Sequence, residues 1–205
     1  MDHQTLLLFL LTQIAMALSP GPAVLLVMSQ ASRHGARAGA VGSAGIVTGT
    51  ALWFGLSAVG LTAVLLASPL AFTVVKWSGA IFLVVLGLRL LFSTSAPGDA
   101  AAPPAPGRRL FAQGVMTQLA NPKAMIFIGA LLPQFIDPAR DPLPQLALLG
   151  AITVVNEYSV LLGYAWVAER GARLVGGAQA LRWFDRIAGG LLLGAGAKLA
   201  FFTRA

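Results

Sequence analysis

Residues 5–28 read TLLLFLLTQIAMALSPGPAVLLVM, two apolar runs hinged on Ser19-Pro20-Gly21-Pro22. A stretch of this length crosses the ~30 Å of membrane hydrocarbon, which takes about 20 residues. Yet Pro20 and Pro22 each lack a backbone N–H and clash with the preceding turn, and Gly21 loosens the chain further. Helical hydrogen bonds are lost at a depth where lipid offers no replacement, so the freed groups must meet protein, water or a ligand. A second breaker, Asn121-Pro122-Lys123, lies about 100 residues later at a matching place in another apolar run. A membrane chain that breaks a helix once per half is building a site for something that crosses, the pattern of a carrier.

Composition supports a membrane protein. The 205 residues are 57% hydrophobic and 10% charged, with a mean hydropathy of +0.80. That charge is too little to cover a water-facing surface, since soluble domains carry about 25%. The formal net charge of +7 sits in short loops between apolar runs rather than in a patch interleaved with aromatics, which argues against nucleic acid. With no cysteine, and only His3 and His34, disulfides, thiol chemistry and a histidine metal cage are disfavoured. The start, Met1-Asp2-His3, has no basic region before the apolar run, so that run reads as a retained span rather than a signal peptide.

The expected fold is all-α, a polytopic membrane protein with six spans at 5–28, 41–66, 71–92, 110–135, 145–168 and 181–202. Arg182, Asp185 and Arg186 must lie at the interfacial end of the last. Residues 93–109 hold Pro97, Pro103, Pro104 and Pro106 among Ala and Gly, a flexible linker between a first repeat, 1–92, and a second, 110–205. Three spans per half is odd, so the halves form an inverted repeat with broken helices 1 and 4. Gly87-Leu88-Arg89-Leu90 and Gly196-Ala197-Lys198-Leu199 are a second trace of the repeat. With both termini outside, Arg33, Arg37, Arg89, Arg108, Arg109, Arg170, Arg173, Arg182 and Arg186 fall inside; Lys76, Arg140, Lys198 and Arg204 fall outside. The excess places both termini in the periplasm.

Each breaker predicts a capped half-helix, with Ser19 or Asn121 as N-cap and Pro20 or Pro122 at the first helical position. Positive dipole ends would then point to mid-membrane and suit an anionic group such as a carboxylate. The alternative is a pair of simple proline kinks. Lys123 lies near the middle of span four, where an ionisable residue costs at least ~2.5–3.5 kcal/mol and is a functional candidate. It can bind a substrate carboxylate, pair with an acid, or reach a carbonyl. Glu157, in mid-span between Asn156 and Tyr158, can carry a proton, hold an ammonium, or fix helix packing. The candidate substrate site is therefore Ser19, Pro20, Gly21, Pro22, Asn121, Pro122, Lys123 and Asn156, with Glu157 for proton coupling. Asp137 reads as a turn residue ending span four. The pairs Gly45/Gly49 and Gly190/Gly194 read as close-packing surfaces, within one chain or between protomers of a homodimer. No nucleotide loop, nucleophile elbow or metal-ligand cluster is present, so no cofactor is expected.

These residues resemble the LysE/RhtB family of bacterial amino-acid exporters. The likeness runs from Ser19-Pro20-Gly21-Pro22 through Gly35-Ala36-Arg37-Ala38-Gly39, Gly45-Ile46-Val47-Thr48-Gly49, Lys76-Trp77-Ser78-Gly79-Ala80 and Leu86-Gly87-Leu88-Arg89-Leu90. It continues in Leu119-Ala120-Asn121-Pro122-Lys123-Ala124 and Leu132-Pro133-Gln134-Phe135; spans five and six match loosely. The resemblance implies a six-helix protein of the bacterial inner membrane that exports an amino acid or derivative on the proton gradient. The family's central motifs fall on Pro20, Gly21, Pro22, Asn121, Pro122 and Lys123. Rival readings are a cation or metal exporter or passive channel on the same scaffold, and an intramembrane enzyme or lipid-binding scaffold. A metal exporter needs clustered carboxylates or thiolates, and an enzyme needs a nucleophile with a paired base.

Overall fold

The computed structural model describes residues 1–60, 68–92, 106–175 and 178–201. Among them the chain is all-helical. The helices are α1 (His3–Leu18), α2 (Pro22–His34), α3 (Ala36–Ala58), α4 (Pro69–Leu91), α5 (Gly107–Leu119), α6 (Pro122–Ile126), α7 (Pro142–Val175) and α8 (Ala178–Ala200). A π-helical turn, Phe127–Leu131, and a 3-10 turn, Leu132–Phe135, continue α6. Most of the predicted linker (93–105) and the end of the second predicted span (61–66) lie outside the described residues, as do the side chains of Lys76, Arg173, Arg182, Asp185 and Lys198. The linker's last residues, with Arg108 and Arg109, already belong to α5.

The prolines decide where α1 and α2 part. A residue before proline is pushed out of the helical region. Ser19 is accordingly extended (φ −72°, ψ 121°) and Gly21 is extended too (φ −162°, ψ −174°). With two prolines one residue apart, the helix restarts only after the second. This corrects the expectation for Ser19 and Pro20: Ser19 is the C-cap of α1, and Pro22, not Pro20, occupies the first helical position, with Gly21 as N-cap. The two helices meet at a bend of 53°. At the second breaker the expectation holds. Asn121 (φ −77°, ψ 112°) caps α6 by accepting from the Lys123 N–H at 3.1 Å, and Pro122 is first in the helix. Beyond Pro122 the chain makes a single α-helical turn that widens and then tightens, rather than a full half-helix.

Gly35, at φ 86°, supplies the left-handed step between α2 and α3. Helix α2 then sits at the centre. Val27 and Ala31 pack with Ile46, Leu161 and Ala165 of α3 and α7, while Leu25 and Leu26 pack with Leu83, Leu86 and Leu192 of α4 and α8. A third cluster joins Phe9, Trp53, Phe54, Phe127 and Leu149. Glycines allow two close crossings. A Cβ on Gly45 would collide with the Phe111 carbonyl of α5, and one on Gly87 would lie 2.8 Å from the Gly189 carbonyl. Gly45 and Gly49 thus pack within the chain, but a Cβ on Gly190 or Gly194 meets nothing within 4 Å among the described residues; Gly189 makes the close approach instead.

The polarity of the molecule is inside out. Leu7, Leu8, Leu11, Val74, Val155 and Trp166 are exposed, whereas Gln13, Gln30, Thr50, Thr117, Gln118 and Asn121 are buried. Such an apolar exterior fits lipid, not water. Helices α3 and α7 are each long and apolar enough to cross a membrane, and the bent α1–α2 pair makes a third candidate. Shorter apolar stretches cover Trp77–Leu91 and Arg186–Ala195. Asp137 lies in the turn after the 3-10 segment, accepts from the Ala139 N–H at 3.0 Å and pairs with Arg140 at 3.2 Å.

Candidate functional site

The two breakers come together. Each ends a helix, the first at exposed residues and the second at buried ones, and the carbonyls freed at the end of α1 require donors. Lys123 supplies them: its Nζ donates to the carbonyls of Met16 at 2.7 Å and Ser19 at 2.9 Å. The Tyr164 hydroxyl of α7 donates to the Leu18 carbonyl at 2.8 Å. Of the three uses open to Lys123, the structure displays the carbonyl contact, and it joins residues more than 100 positions apart.

From the second breaker a polar chain runs inward. The Asn121 amide donates to Gln118 Oε1 at 3.1 Å. Gln118 Nε2 donates to Thr50 Oγ1 at 2.8 Å and to Glu157 Oε1 at 3.2 Å. Thr50 sends its hydroxyl proton to Glu157 Oε2 at 2.6 Å. Both oxygens of Glu157 therefore accept a hydrogen bond, from side chains on two other helices, α3 and α5.

This chain borders a cavity of about 50 Å³. Its polar lining is Gln13, Thr50, Gln118, Asn121, Lys123, Thr153 and Glu157. Trp53, Phe54, Phe127, Ile128 and Leu161 close the apolar side. A water needs at least about 10–15 Å³ of such volume, so a few waters fit here.

Of the residues predicted from sequence, Asn121, Lys123 and Glu157 line this cavity. Ser19, Pro20, Gly21, Pro22 and Pro122 shape the breaks but are not lining residues, although a Cβ on Gly21 would lie 3.7 Å from Lys123 Nζ. Asn156 is not a lining residue either; its Nδ2 is buried without a hydrogen-bond partner among the described residues. Gln13, Thr50 and Gln118 are lining residues that sequence reasoning missed. Gln13 carried a usable signal, a polar side chain deep in an apolar run; Gln118, among Gln113, Thr117, Asn121 and Lys123, stood out less. Thr50 carried none, because helical threonines commonly bond their own backbone, as Thr48 does to Ala44 and Thr153 to Leu149.

Bent helices, an apolar exterior and a cavity with polar side chains beside the breaks define an α-helical membrane protein with a central site. The LysE type translocator profile matches residues 14–202, and the chain belongs to that family. A homoserine/homoserine lactone efflux protein of Salmonella typhi is 35% identical over 193 residues, covering 94% of each chain. An uncharacterized membrane protein of Vibrio cholerae is 33% identical over 206 residues, covering 98% of each. A leucine efflux protein of Klebsiella pneumoniae is 31% identical over 133 residues, covering 64% of this chain and 63% of its own. No solved structure matches the chain. The protein is a membrane transporter and not an enzyme.

Proposed function

We propose that this protein exports an amino acid or amino-acid derivative across the bacterial inner membrane, in exchange for a proton. The observation that carries the reading is the hydrogen-bonded chain from the second break to Glu157, bordering a cavity at the first break. Glu157 is the deep carboxyl of that cavity. Its remaining lone pairs take the substrate ammonium or a proton in alternation, so that arrival of one displaces the other.

Two three-span halves, 1–92 and 110–205, joined by 93–109 and inserted in opposite senses, rock about this site with both termini in the periplasm. The contacts of Lys123 with Met16 and Ser19 join those halves in this conformation. They break and re-form as access alternates. The efflux relatives, named for homoserine, homoserine lactone and leucine, support a small aminated substrate.

Counterflow of labelled homoserine and leucine into proteoliposomes holding purified protein tests the reading. Uptake above that of protein-free vesicles, accelerated by a proton gradient, is expected. Uptake equal to the empty vesicles for a broad set of amino acids would refute it.

A further inference from the structure

The polar lining of the cavity is almost fully matched within the protein. Thr50, Gln118, Asn121 and Glu157 bond one another. Lys123 holds backbone carbonyls, and the Thr153 hydroxyl returns to the Leu149 carbonyl. Gln13 differs. Its side chain lines the cavity and is only 5% exposed, yet among the described residues its Nε2 has no hydrogen-bond partner. Buried amide donors are nearly always paired, and an orphan in a binding cavity marks a place where a ligand atom belongs.

The surroundings define that atom. Gln13, Met16 and Ala17 all line the cavity, at the i, i+3, i+4 spacing of one helical face. The Met16 carbonyl on that face holds the Lys123 ammonium. An acceptor that meets Gln13 therefore lies on the side of the cavity carrying the positive charge, while Glu157 on α7 supplies the acceptor for a cation. We infer that Gln13 is a substrate-binding residue that donates to the carboxylate or carbonyl oxygen of the cargo, opposite the ammonium held by Glu157. This deepens the amino-acid reading and rests on it. Substrates lacking an oxygen acceptor next to the amine lose the Gln13 bond and bind more weakly.

The test uses the full chain in proteoliposomes, as wild type, Gln13→Met (close in shape, no donor) and Gln13→Glu. Labelled homoserine and leucine are the substrates. The carboxyl-free amines 3-aminopropanol and 3-methylbutylamine compete with them. In Gln13→Met the KM for the amino acids rises about tenfold, as expected for losing a bond to a charged acceptor, with maximal rate within about twofold and inhibition by the amines unchanged. In Gln13→Glu the amino-acid KM rises further and inhibition by the amines strengthens. An unchanged KM in Gln13→Met, or parallel shifts for amino acids and amines, overturns the assignment while leaving the transporter reading intact. Absence of amino-acid transport by the wild type overturns both. Should Gln13→Met fail to reach the membrane, the opposite shifts expected of Gln13→Glu decide alone.

Discussion

Lys123 and Met16 are joined across the two breaks, with Nζ of the lysine 2.7 Å from the carbonyl oxygen of the methionine. The same ammonium reaches the Ser19 carbonyl at 2.9 Å. A cation at a helix C-terminus is favourable both to the dipole and to the unpaired carbonyls. The lysine beside one proline break thus stabilises the helix ended by the other.

Lys123→Met should therefore damage both fold and transport. Two charge-assisted bonds are lost; the Met16 carbonyl keeps the Ser19 N–H at 3.3 Å, and the exposed Ser19 carbonyl loses the lysine. The cost is about 2 kcal/mol, read as a fall of several degrees in the melting temperature of the detergent-solubilised protein. Lys123→Arg, which retains a cation and its donors, should recover most of the stability. Its fixed planar geometry should recover less of the transport rate. Equal melting temperatures for wild type and Lys123→Met would disprove the cap.

Glu157→Gln separates charge from shape. Both carboxyl oxygens now accept from donors, Thr50 and Gln118. An amide places its NH₂ against one of them, so the network must rearrange at a cost of about 1–3 kcal/mol. Counterflow should fall at least about tenfold, since a tenfold loss corresponds to roughly 1.4 kcal/mol of transition-state stabilisation. Acceleration by a proton gradient should disappear. A variant whose residual transport still responds to the gradient would remove Glu157 from proton coupling.

Much of the site's location could be read from the chain because prolines act locally. Pro20, Pro22 and Pro122 constrain the residue before them wherever they stand, and the Asn121 cap is a direct consequence. The error at Ser19 came from treating Pro20 alone. Gly21 precedes a second proline and cannot be helical, which moves the restart to Pro22. Partners distant in sequence were less legible. Nothing in the vicinity of Thr50 announces that its hydroxyl crosses to Glu157, 107 positions away. Nor does the spacing of Gly190 and Gly194 reveal that the neighbouring Gly189 faces α4.

The glycine contacts predict contrasting packing variants. Gly45→Val places a branched side chain onto the Phe111 carbonyl and the α5 backbone. Backbone cannot yield as a flexible side chain does, so destabilisation of about 1–3 kcal/mol is expected. Gly190→Val meets no described atom within 4 Å and should leave the melting temperature of the solubilised protein near that of wild type. Similar losses for both variants would mean that α8 has a neighbour on the Gly190 face.

Tyr164 gives the last prediction, because it caps the same break from another helix. Its hydroxyl donates to the Leu18 carbonyl at 2.8 Å, between the two carbonyls that Lys123 holds. Tyr164→Phe keeps the ring and removes one neutral bond, costing about 1 kcal/mol. The informative measurement is the double variant with Lys123→Met. Two independent caps would give additive losses. Here both donors hold the last turn of α1, so once Lys123 is gone that turn frays and the Leu18 carbonyl leaves Tyr164 as well. Tyr164→Phe should then cost less in the Lys123→Met background than alone, with a coupling of about 0.5 kcal/mol or more. Strict additivity in melting experiments would show that the end of α1 stays fixed without the lysine, and that the ammonium is not what holds the broken helix in place.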